Sequence, residues 1–385
     1  MIASQHQPAA LRPRFAGLDG ATWLVSHSMG APPHAAREAL ARYWEQWAQG
    51  GPEGAWPGWL DDARAIGDGI GAIVGAAPGT VSLAPNVSLL QSALASSLDL
   101  RGERNEIVYE ALQFPSLAYV WQAWERAGAR TLRVPTDDGR TIPTDRICSA
   151  ITERTALVVL SHAYYQSAVL IDLPPIVARA HEAGALVVLD AYQTAGIVPF
   201  DVTALDLDIV VGGSHKWLCG GPGCGWMYVK PQLAQRFRPM VTGWFGHREP
   251  FAFEPPPIDY APDQLRWATG TPTIPGYVAA RAGHEIIREV GVATIREHNA
   301  RLTRRLSDAA LERGWTVNTP LDPAKRTGWV GIDVPHAEQV QHELHERRIY
   351  VDHRPGCGLR VSAHLYTTDD EIDVFLAAMD DVVSR

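Results

Sequence analysis

Cysteine is scarce in this sequence. Only four cysteines occur among 385 residues, namely Cys148, Cys219, Cys224 and Cys357. Cys219 and Cys224 lie five positions apart, but no second cysteine pair or histidine pair completes a zinc-binding pattern. The sequence therefore predicts neither a metal site nor a disulfide-stabilised scaffold, and we expect a reduced, cytoplasmic protein.

An excess of basic residues and long apolar runs are missing as well. Lys and Arg total 34 against 43 for Asp and Glu, which gives a formal net charge of −9. Because binding to nucleic acid needs clustered Lys and Arg, we expect no nucleic-acid partner. No stretch reaches the roughly 20 apolar residues of a membrane-spanning helix, and residues 1–14 lack the apolar run of a signal peptide. We therefore expect no association with a membrane.

The middle of the chain alternates between short apolar runs and helical patterns. Continuous apolar strands that alternate with helices predict a sheet covered by helices on both faces. The predicted strands cover 156–160, 185–189, 207–211 and 225–229. The predicted helices cover 34–49, 60–74, 87–98, 174–182, 274–289 and 293–313, and residues 328–385 predict a small α+β unit. Between 239 and 275 the chain is rich in proline, and a loop of this length inside a compact domain is usually functional.

Two predicted strands end in residues that could carry chemistry. Asp190 follows one apolar strand, and Ser214, His215 and Lys216 follow another. Ligands bind at the carboxyl ends of strands in open α/β sheets, so we expect Asp190 and Lys216 near one site. Apolar surroundings and many glycines would lower the pKa of the lysine amine and let backbone approach a ligand. Taken singly, Asp190 could be a helix N-cap and Lys216 a surface lysine, but their common location favours a site.

Eight short motifs follow one another along the chain. They are SHSMG (26–30), Asn86-Val87-Ser88, FPS (114–116), DAYQ (190–193), GGSHKWLCGGPG (212–223), GWFGH (243–247), GTP (270–272) and GLRVSAHLYTT (358–368). The set resembles the pyridoxal-phosphate (PLP) enzymes of the aspartate aminotransferase superfold, and within it the class V branch. Its closest form is kynureninase.

This resemblance implies an α/β protein of PLP-dependent transferase fold type I. The expected large domain has a mixed, mostly parallel seven-stranded sheet and covers 46–279. The expected small α+β domain combines 1–45 with 280–385. A strand over 359–363 would turn Leu359, Val361 and Ala363 to one side, and Arg360 and Ser362 to the other.

The resemblance also implies roles for individual residues. Lys216 would form the Schiff base with PLP, and Asp190 would pair with the pyridine nitrogen. Phe114 would stack on the cofactor ring, and Arg360 would hold the α-carboxylate of an amino-acid substrate. The expected cofactor-binding set is Pro85, Asn86, Phe114, Ser116, Asp190, Gln193, Ser214, His215, Lys216, Trp244 and Thr271. The expected substrate-binding set is Arg360, Ser28 and Met29.

Trp244 and Thr271 match positions that reach the cofactor of the opposite subunit, so we expect a homodimer with shared active sites. Some positions differ from the usual kynureninase residues. His215 stands where these enzymes commonly have Tyr, Gln193 where they often have His, and Thr271 where some have Asn. In SHSMG, His27 and Met29 differ from the usual N-S-L-G. These differences lie in or near the expected substrate pocket.

We expect an enzyme that acts on an α-amino acid by kynureninase-like hydrolytic cleavage at the β-carbon. Lys216 would remove the α-proton, and an activated water would attack the side-chain carbonyl. The alternatives are a class V aminotransferase, a cysteine desulfurase or C–S lyase, and a non-catalytic protein of the same fold. Cys357 would be the thiol of a desulfurase, although its loop is short for that role. His27, His162 and His247 are candidates for proton transfer.

Overall fold

The computed structural model describes residues 8–384. The strands are β1 (Thr22–Trp23), β2 (Val81–Ala84), β3 (Glu106–Glu110), β4 (Arg130–Val134), β5 (Thr155–Ser161), β6 (Leu186–Asp190), β7 (Ile209–Gly213), β8 (Gly225–Val229), β9 (Thr316–Val317), β10 (Trp329–Asp333), β11 (Ile349–Tyr350), β12 (Asp352–Arg354) and β13 (Gly358–Ser362). The helices are α1 (His34–Val74), α2 (Val87–Ala95), α3 (Pro115–Ala123), α4 (Thr144–Ala150), α5 (Leu173–Glu182), α6 (Pro231–Ala234), α7 (Ile274–Val290), α8 (Val292–Glu312), α9 (Ala337–Glu346) and α10 (Asp369–Val383).

A seven-stranded sheet organises the large part of the molecule, in the order β2-β8-β7-β6-β5-β3-β4. Five neighbouring strands, β7, β6, β5, β3 and β4, run parallel to one another. β8 is antiparallel to both of its neighbours, β7 and β2. Side chains of β5 alternate between two cores, with Val158 and Leu160 in one and Leu157 and Val159 in the other. This alternation explains why the interior of β5 is continuously apolar, since both of its faces are covered. The predicted mixed, mostly parallel sheet is confirmed.

The two predicted N-terminal helices, 34–49 and 60–74, lie in α1 on either side of a kink at Gly51, where the backbone is not helical. The break is shorter than predicted, since residues 52–59 are helical as well. Gly51 has φ 57° and ψ −166°, in the region that glycine adopts readily, and Pro52 follows it. The predicted strand 207–211 begins two residues later because the Asp208 carboxylate accepts a hydrogen bond from Val187 N at 2.9 Å.

A second sheet of four antiparallel strands lies in the C-terminal part, in the order β12-β13-β10-β9. Leu359, Val361 and Ala363 enter a core that also includes residues of α8, α9 and α10. Arg360 and Ser362 instead make polar contacts with Asp352 and His27. The predicted alternation along this strand is therefore confirmed.

The predicted domain boundaries at 45/46 and 279/280 fall inside α1 and α7. Core residues of α7 pack with the seven-stranded sheet, whereas most core residues from Leu302 onward join Leu24 in the core of the small sheet. Trp329, Leu365 and Tyr366 belong to the larger core instead. Residues 1–7 of the predicted small domain lie outside the described residues, and the two-domain division stays a prediction. Among residues 8–384, none of the helices has the length and apolar character needed to cross a membrane.

Candidate active site

A cavity of about 210 Å³ opens at the carboxyl ends of β5, β6 and β7. Its walls include seven of the predicted cofactor-binding residues, which are Asn86, Phe114, Ser116, Asp190, Gln193, His215 and Lys216. The parallel strands deliver these side chains to one edge of the sheet, because their carboxyl ends all meet there. Asp190 and Lys216 therefore line the same cavity, as expected.

Lys216 projects its amine between two aromatic rings. Nζ lies 5.5 Å from the ring centroid of Phe114 and 5.0 Å from that of Tyr192. Burial lowers the pKa of the Lys216 amine to about 8, although the nearby Asp190 carboxylate acts in the opposite direction. A lowered pKa raises the neutral, nucleophilic fraction of the amine near neutral pH. The neutral amine of Lys216 can therefore attack a carbonyl carbon.

Asp190 is the last residue of β6 and is 5% exposed. Its Oδ1 accepts a hydrogen bond from Tyr192 N at 2.8 Å. Turns rather than a helix follow it, so it does not cap a helix. Burial raises the pKa of the Asp190 carboxyl to about 6. Within residues 8–384 only Oδ1 is hydrogen-bonded, which leaves Oδ2 for a cationic group in the cavity.

The first turn of α2 forms another wall. Asn86 caps the helix by accepting a hydrogen bond from Leu89 N at 3.1 Å, and Val87 and Ser88 line the cavity. Backbone N–H groups at a helix start suit a phosphate dianion. Pro85 precedes this turn and does not line the cavity, and Ser214 bonds away from it, with Oγ 2.9 Å from Nε2 of His284 on α7.

Arg360 approaches from the small sheet and is 4% exposed. Its Nε and Nη2 donate to Oδ1 and Oδ2 of Asp352 at 2.8 and 2.5 Å, and its Nη1 donates to the Tyr165 carbonyl at 2.8 Å. Tyr165 itself lines the cavity. Arg360 is not itself among the cavity walls, but a buried ion pair holds it next to the wall residue Tyr165.

His27 lies behind this arginine and is fully buried. Its Nε2 is 2.8 Å from Asp352 Oδ1 and its Nδ1 is 3.0 Å from Ser362 Oγ. Burial lowers the pKa of His27 to about 4, so the ring is neutral near pH 7. Gln193 Nε2 donates to the His27 carbonyl at 3.1 Å, which fixes the 26–30 segment beside the cavity.

Four predicted site residues lie away from this cavity in their own chain. Ser28 and Met29 are not among its walls, and Met29 is exposed. Trp244 lines a separate groove, where its ring stacks on Phe253 at 5.8 Å between centroids. Thr271 is exposed on the proline-rich segment. Their assigned roles stay predictions.

The remaining sequence candidates also lie outside the cavity walls. His162 is buried with Nδ1 3.0 Å from Thr194 Oγ1, and His247 borders the Trp244 groove. Cys357 is 1% exposed, and burial raises the pKa of its thiol. A thiol in this environment is disfavoured as a nucleophile, because the thiolate is the reactive form.

The sequence matches the model of the family "Aminotransferase class-V" over residues 87–375. The chain belongs to the class V aminotransferase family. Kynureninase of Pseudomonas fluorescens is 30% identical over 402 residues, covering 100% of this chain and 94% of that one. The "Uncharacterized aminotransferase YcbU" of Bacillus subtilis (strain 168) is 27% identical over 96% of both chains. A cysteine desulfurase of Thermococcus onnurineus NA1 has the same fold, with a TM-score of 0.87, 21% identity and full coverage of both chains.

Class V aminotransferases are PLP-dependent, and the cavity of this member fits that cofactor. Lys216 offers an amine of lowered pKa, and Phe114 offers an aromatic ring beside it. Asp190 offers a buried carboxylate oxygen without a protein partner among the described residues. The α2 N-terminus offers donors for a phosphate. These groups supply the chemistry that PLP requires of a protein.

Sequence reasoning missed a polar cluster beneath the cavity. Glu110 ends β3 as Asp190 ends β6, so the same strand-end signal could have identified it. Its Oε1 accepts a hydrogen bond from Ser161 N, and Ser161 Oγ donates to Gln113 Oε1 at 2.8 Å. Gln113 Oε1 also accepts from Phe114 N at 2.9 Å. The cluster thereby supports the backbone that carries the Phe114 ring.

Replacing Glu110 with glutamine should make the cofactor-free protein more stable at alkaline pH. Burial raises the pKa of Glu110 to about 8, from an ordinary value of 4.5. The folded state therefore binds more protons than the unfolded state between these values, so stability declines as pH rises through them. We expect Glu110→Gln to gain roughly 1–3 kcal/mol over the wild type at about pH 8.5 and much less at about pH 5, measured by urea unfolding.

The matched control is Glu297→Gln, at an exposed position of α8. It should leave the difference in stability between the two pH values as in the wild type. Equal pH dependence in Glu110→Gln and in the wild type would show that Glu110 ionises normally in the folded protein.

Proposed function

We propose that this class V enzyme cleaves the side chain of an α-amino acid hydrolytically at the β-carbon, as a kynureninase does. The observation that supports this proposal most directly is that Lys216, Asp190 and Phe114 line one cavity, while Arg360 contacts the carbonyl of its wall residue Tyr165. The 30% identity to the kynureninase of Pseudomonas fluorescens over the whole chain supports this choice of reaction.

PLP, when bound, supplies an electron sink for the bonds at the substrate α-carbon. Lys216 is the group that takes the α-proton and later returns it, since its lowered pKa leaves part of the amine neutral. Asp190 would hold a proton at the pyridine nitrogen through its free oxygen. Phe114 would orient the ring, and the α2 turn would hold the phosphate.

Arg360 binds the α-carboxylate in this proposal. Its guanidinium meets the cavity wall at Tyr165, at the junction between the seven-stranded sheet and the small sheet. A planar guanidinium fixes the direction of a carboxylate as well as its distance. The bound substrate is thereby held in one orientation. Such orientation accounts for a large part of the rate enhancement in enzymatic reactions.

A second copy of the chain completes the site in this proposal. Trp244 and Thr271 do not reach the cavity of their own chain, although the motifs that contain them match the family pattern. Trp244, Phe251 and Phe253 are all exposed on the proline-rich segment and contact one another. An exposed aromatic patch of this kind is typical of an interface. We propose a homodimer in which these residues lie against the neighbouring cavity.

The test is an assay of products from purified protein loaded with PLP. We expect kynurenine or 3-hydroxykynurenine to give alanine and an aromatic amine, with no need for an added keto acid. Cys357→Ser should retain the wild-type rate within about twofold, because the thiol is buried and protonated. Sulfide release from cysteine with loss of activity in Cys357→Ser would indicate a desulfurase. Strict dependence on a keto acid would indicate an aminotransferase, and no turnover of any amino acid would favour a non-catalytic protein.

A further inference from the structure

We propose that Asp352 is a positioning residue that determines which edge of the Arg360 guanidinium faces the substrate. The inference rests on the proposed function, in which Arg360 binds the α-carboxylate. Asp352 and Arg360 are directly opposite each other in the antiparallel pair β12–β13. Because cross-strand neighbours project to the same face of a sheet, the backbone register brings the two side chains together.

The ion pair has side-on geometry. Nε donates to Oδ1 at 2.8 Å and Nη2 donates to Oδ2 at 2.5 Å, so the carboxylate occupies one complete edge of the guanidinium. Asp352 is 6% exposed, and Arg360 stacks over the Trp329 ring at 5.4 Å. Aspartate and tryptophan together define the plane of the guanidinium and its rotation within that plane.

A guanidinium has five N–H donors. Two are used by Asp352 and one, from Nη1, by the Tyr165 carbonyl at 2.8 Å. Among residues 8–384 the structure shows no partner for the other two, one on each terminal nitrogen. These donors can bind a second carboxylate while Asp352 stays in place. The substrate therefore meets an arginine whose orientation is set before binding, so less entropy is lost on association.

Asp352 also contacts residues other than Arg360. His27 Nε2 lies 2.8 Å from Oδ1, and the opposite ring nitrogen lies 3.0 Å from Ser362 Oγ. Arg354, at the surface, approaches Oδ2 at 3.3 Å. Burial alone would raise the pKa of Asp352, but the contacts with His27 and then with Arg360 hold that pKa far below its usual range, so Asp352 remains a carboxylate. Because its backbone is paired in the sheet and His27 contacts its side chain, the Asp352 carboxylate is suited to hold the Arg360 guanidinium in place.

The opposite role is also chemically possible, because a carboxylate on Arg360 could compete with the substrate. The two roles predict effects of opposite sign. If Asp352 positions Arg360, displacing its carboxylate weakens substrate binding. If Asp352 competes, removing its charge strengthens substrate binding. Asp352→Glu keeps the charge and moves the carboxylate, whereas Asp352→Asn keeps the shape and removes the charge.

The experiment titrates PLP-loaded protein with L-alanine and with ethylamine, which has the amine but no carboxylate. The visible absorbance of the bound cofactor reports both dissociation constants without turnover. We expect both variants to bind L-alanine roughly tenfold or more weakly than the wild type, since a misoriented guanidinium loses charge-assisted hydrogen bonds to the carboxylate. Binding of ethylamine should stay unchanged. Asp380→Asn, which alters an exposed side-on pair with Arg313, is the matched control and should behave as the wild type.

Three results would overturn the inference. Unchanged L-alanine binding in folded Asp352→Asn would remove the positioning role, and tighter binding would show that Asp352 competes for Arg360. A wild type that does not prefer L-alanine over ethylamine would remove Arg360 from carboxylate binding, and the proposed function would then fail together with this inference. Thermal melting curves identify any variant that does not fold. If Asp352→Glu does not fold, binding by the isosteric Asp352→Asn decides between the two roles.

Discussion

Lys216→Ala should abolish the Schiff-base absorbance of PLP-loaded protein kept free of amino acids, together with its turnover. The amine lies in the cavity beside Phe114 and Tyr192, and burial lowers its pKa to about 8. No other amine can replace it, because the sequence has only two further lysines, Lys230 and Lys325. Loss of a nucleophile that is also the proton carrier should reduce kcat by roughly 10⁴-fold or more.

Lys230→Ala is the matched control for this experiment. Lys230 pairs with Asp206 at a different pocket and does not line the active-site cavity. Its removal should leave absorbance and kcat as in the wild type. An unchanged visible band in Lys216→Ala would contradict the assignment of Lys216 and, with it, the role given to the cavity.

The sheet was predictable because its strands have a simple chemical requirement. A parallel strand covered on both faces is apolar along its interior, and β5 and β6 are apolar between their polar end residues Thr155, Ser161 and Asp190. The start of β7 was less predictable, since the Asp208 side chain replaces a backbone partner there. The break between the two predicted N-terminal helices is present at Gly51, but its restriction to one residue depends on a single backbone conformation, which periodicity does not reveal.

The site was predictable where its residues follow strands in the sequence. Asp190 and Lys216 could be placed together because parallel strands share one carboxyl edge. The place of Asp352 in the site could not be predicted in this way. Its contact with Arg360 depends on the register of two antiparallel strands, β12 and β13, that a short loop connects. Tyr165 contributes a backbone carbonyl, so its side-chain identity carries no signal for that contact. Residues that orient other residues are the least visible in a single sequence.

Arg360→Lys should reduce kcat/KM for the amino-acid substrate by roughly 100-fold, which corresponds to about 2.7 kcal/mol. The wild-type guanidinium binds Asp352 along one edge and the Tyr165 carbonyl with a further donor, and it keeps two donors for a carboxylate. A lysine ammonium has three donors and no planar edge. It would be drawn to Asp352, so the substrate carboxylate would lose both its partner and its orientation.

Absorbance of the bound cofactor should be unchanged in Arg360→Lys, since Arg360 is not among the cavity walls that contact PLP in the proposed site. Arg313→Lys is the matched control, because Arg313 makes the same side-on contact with Asp380 at the surface, at 2.7 and 3.0 Å. Exposed pairs contribute less than about 1 kcal/mol, so this variant should keep wild-type kinetics. Wild-type kinetics in Arg360→Lys would exclude Arg360 from substrate binding.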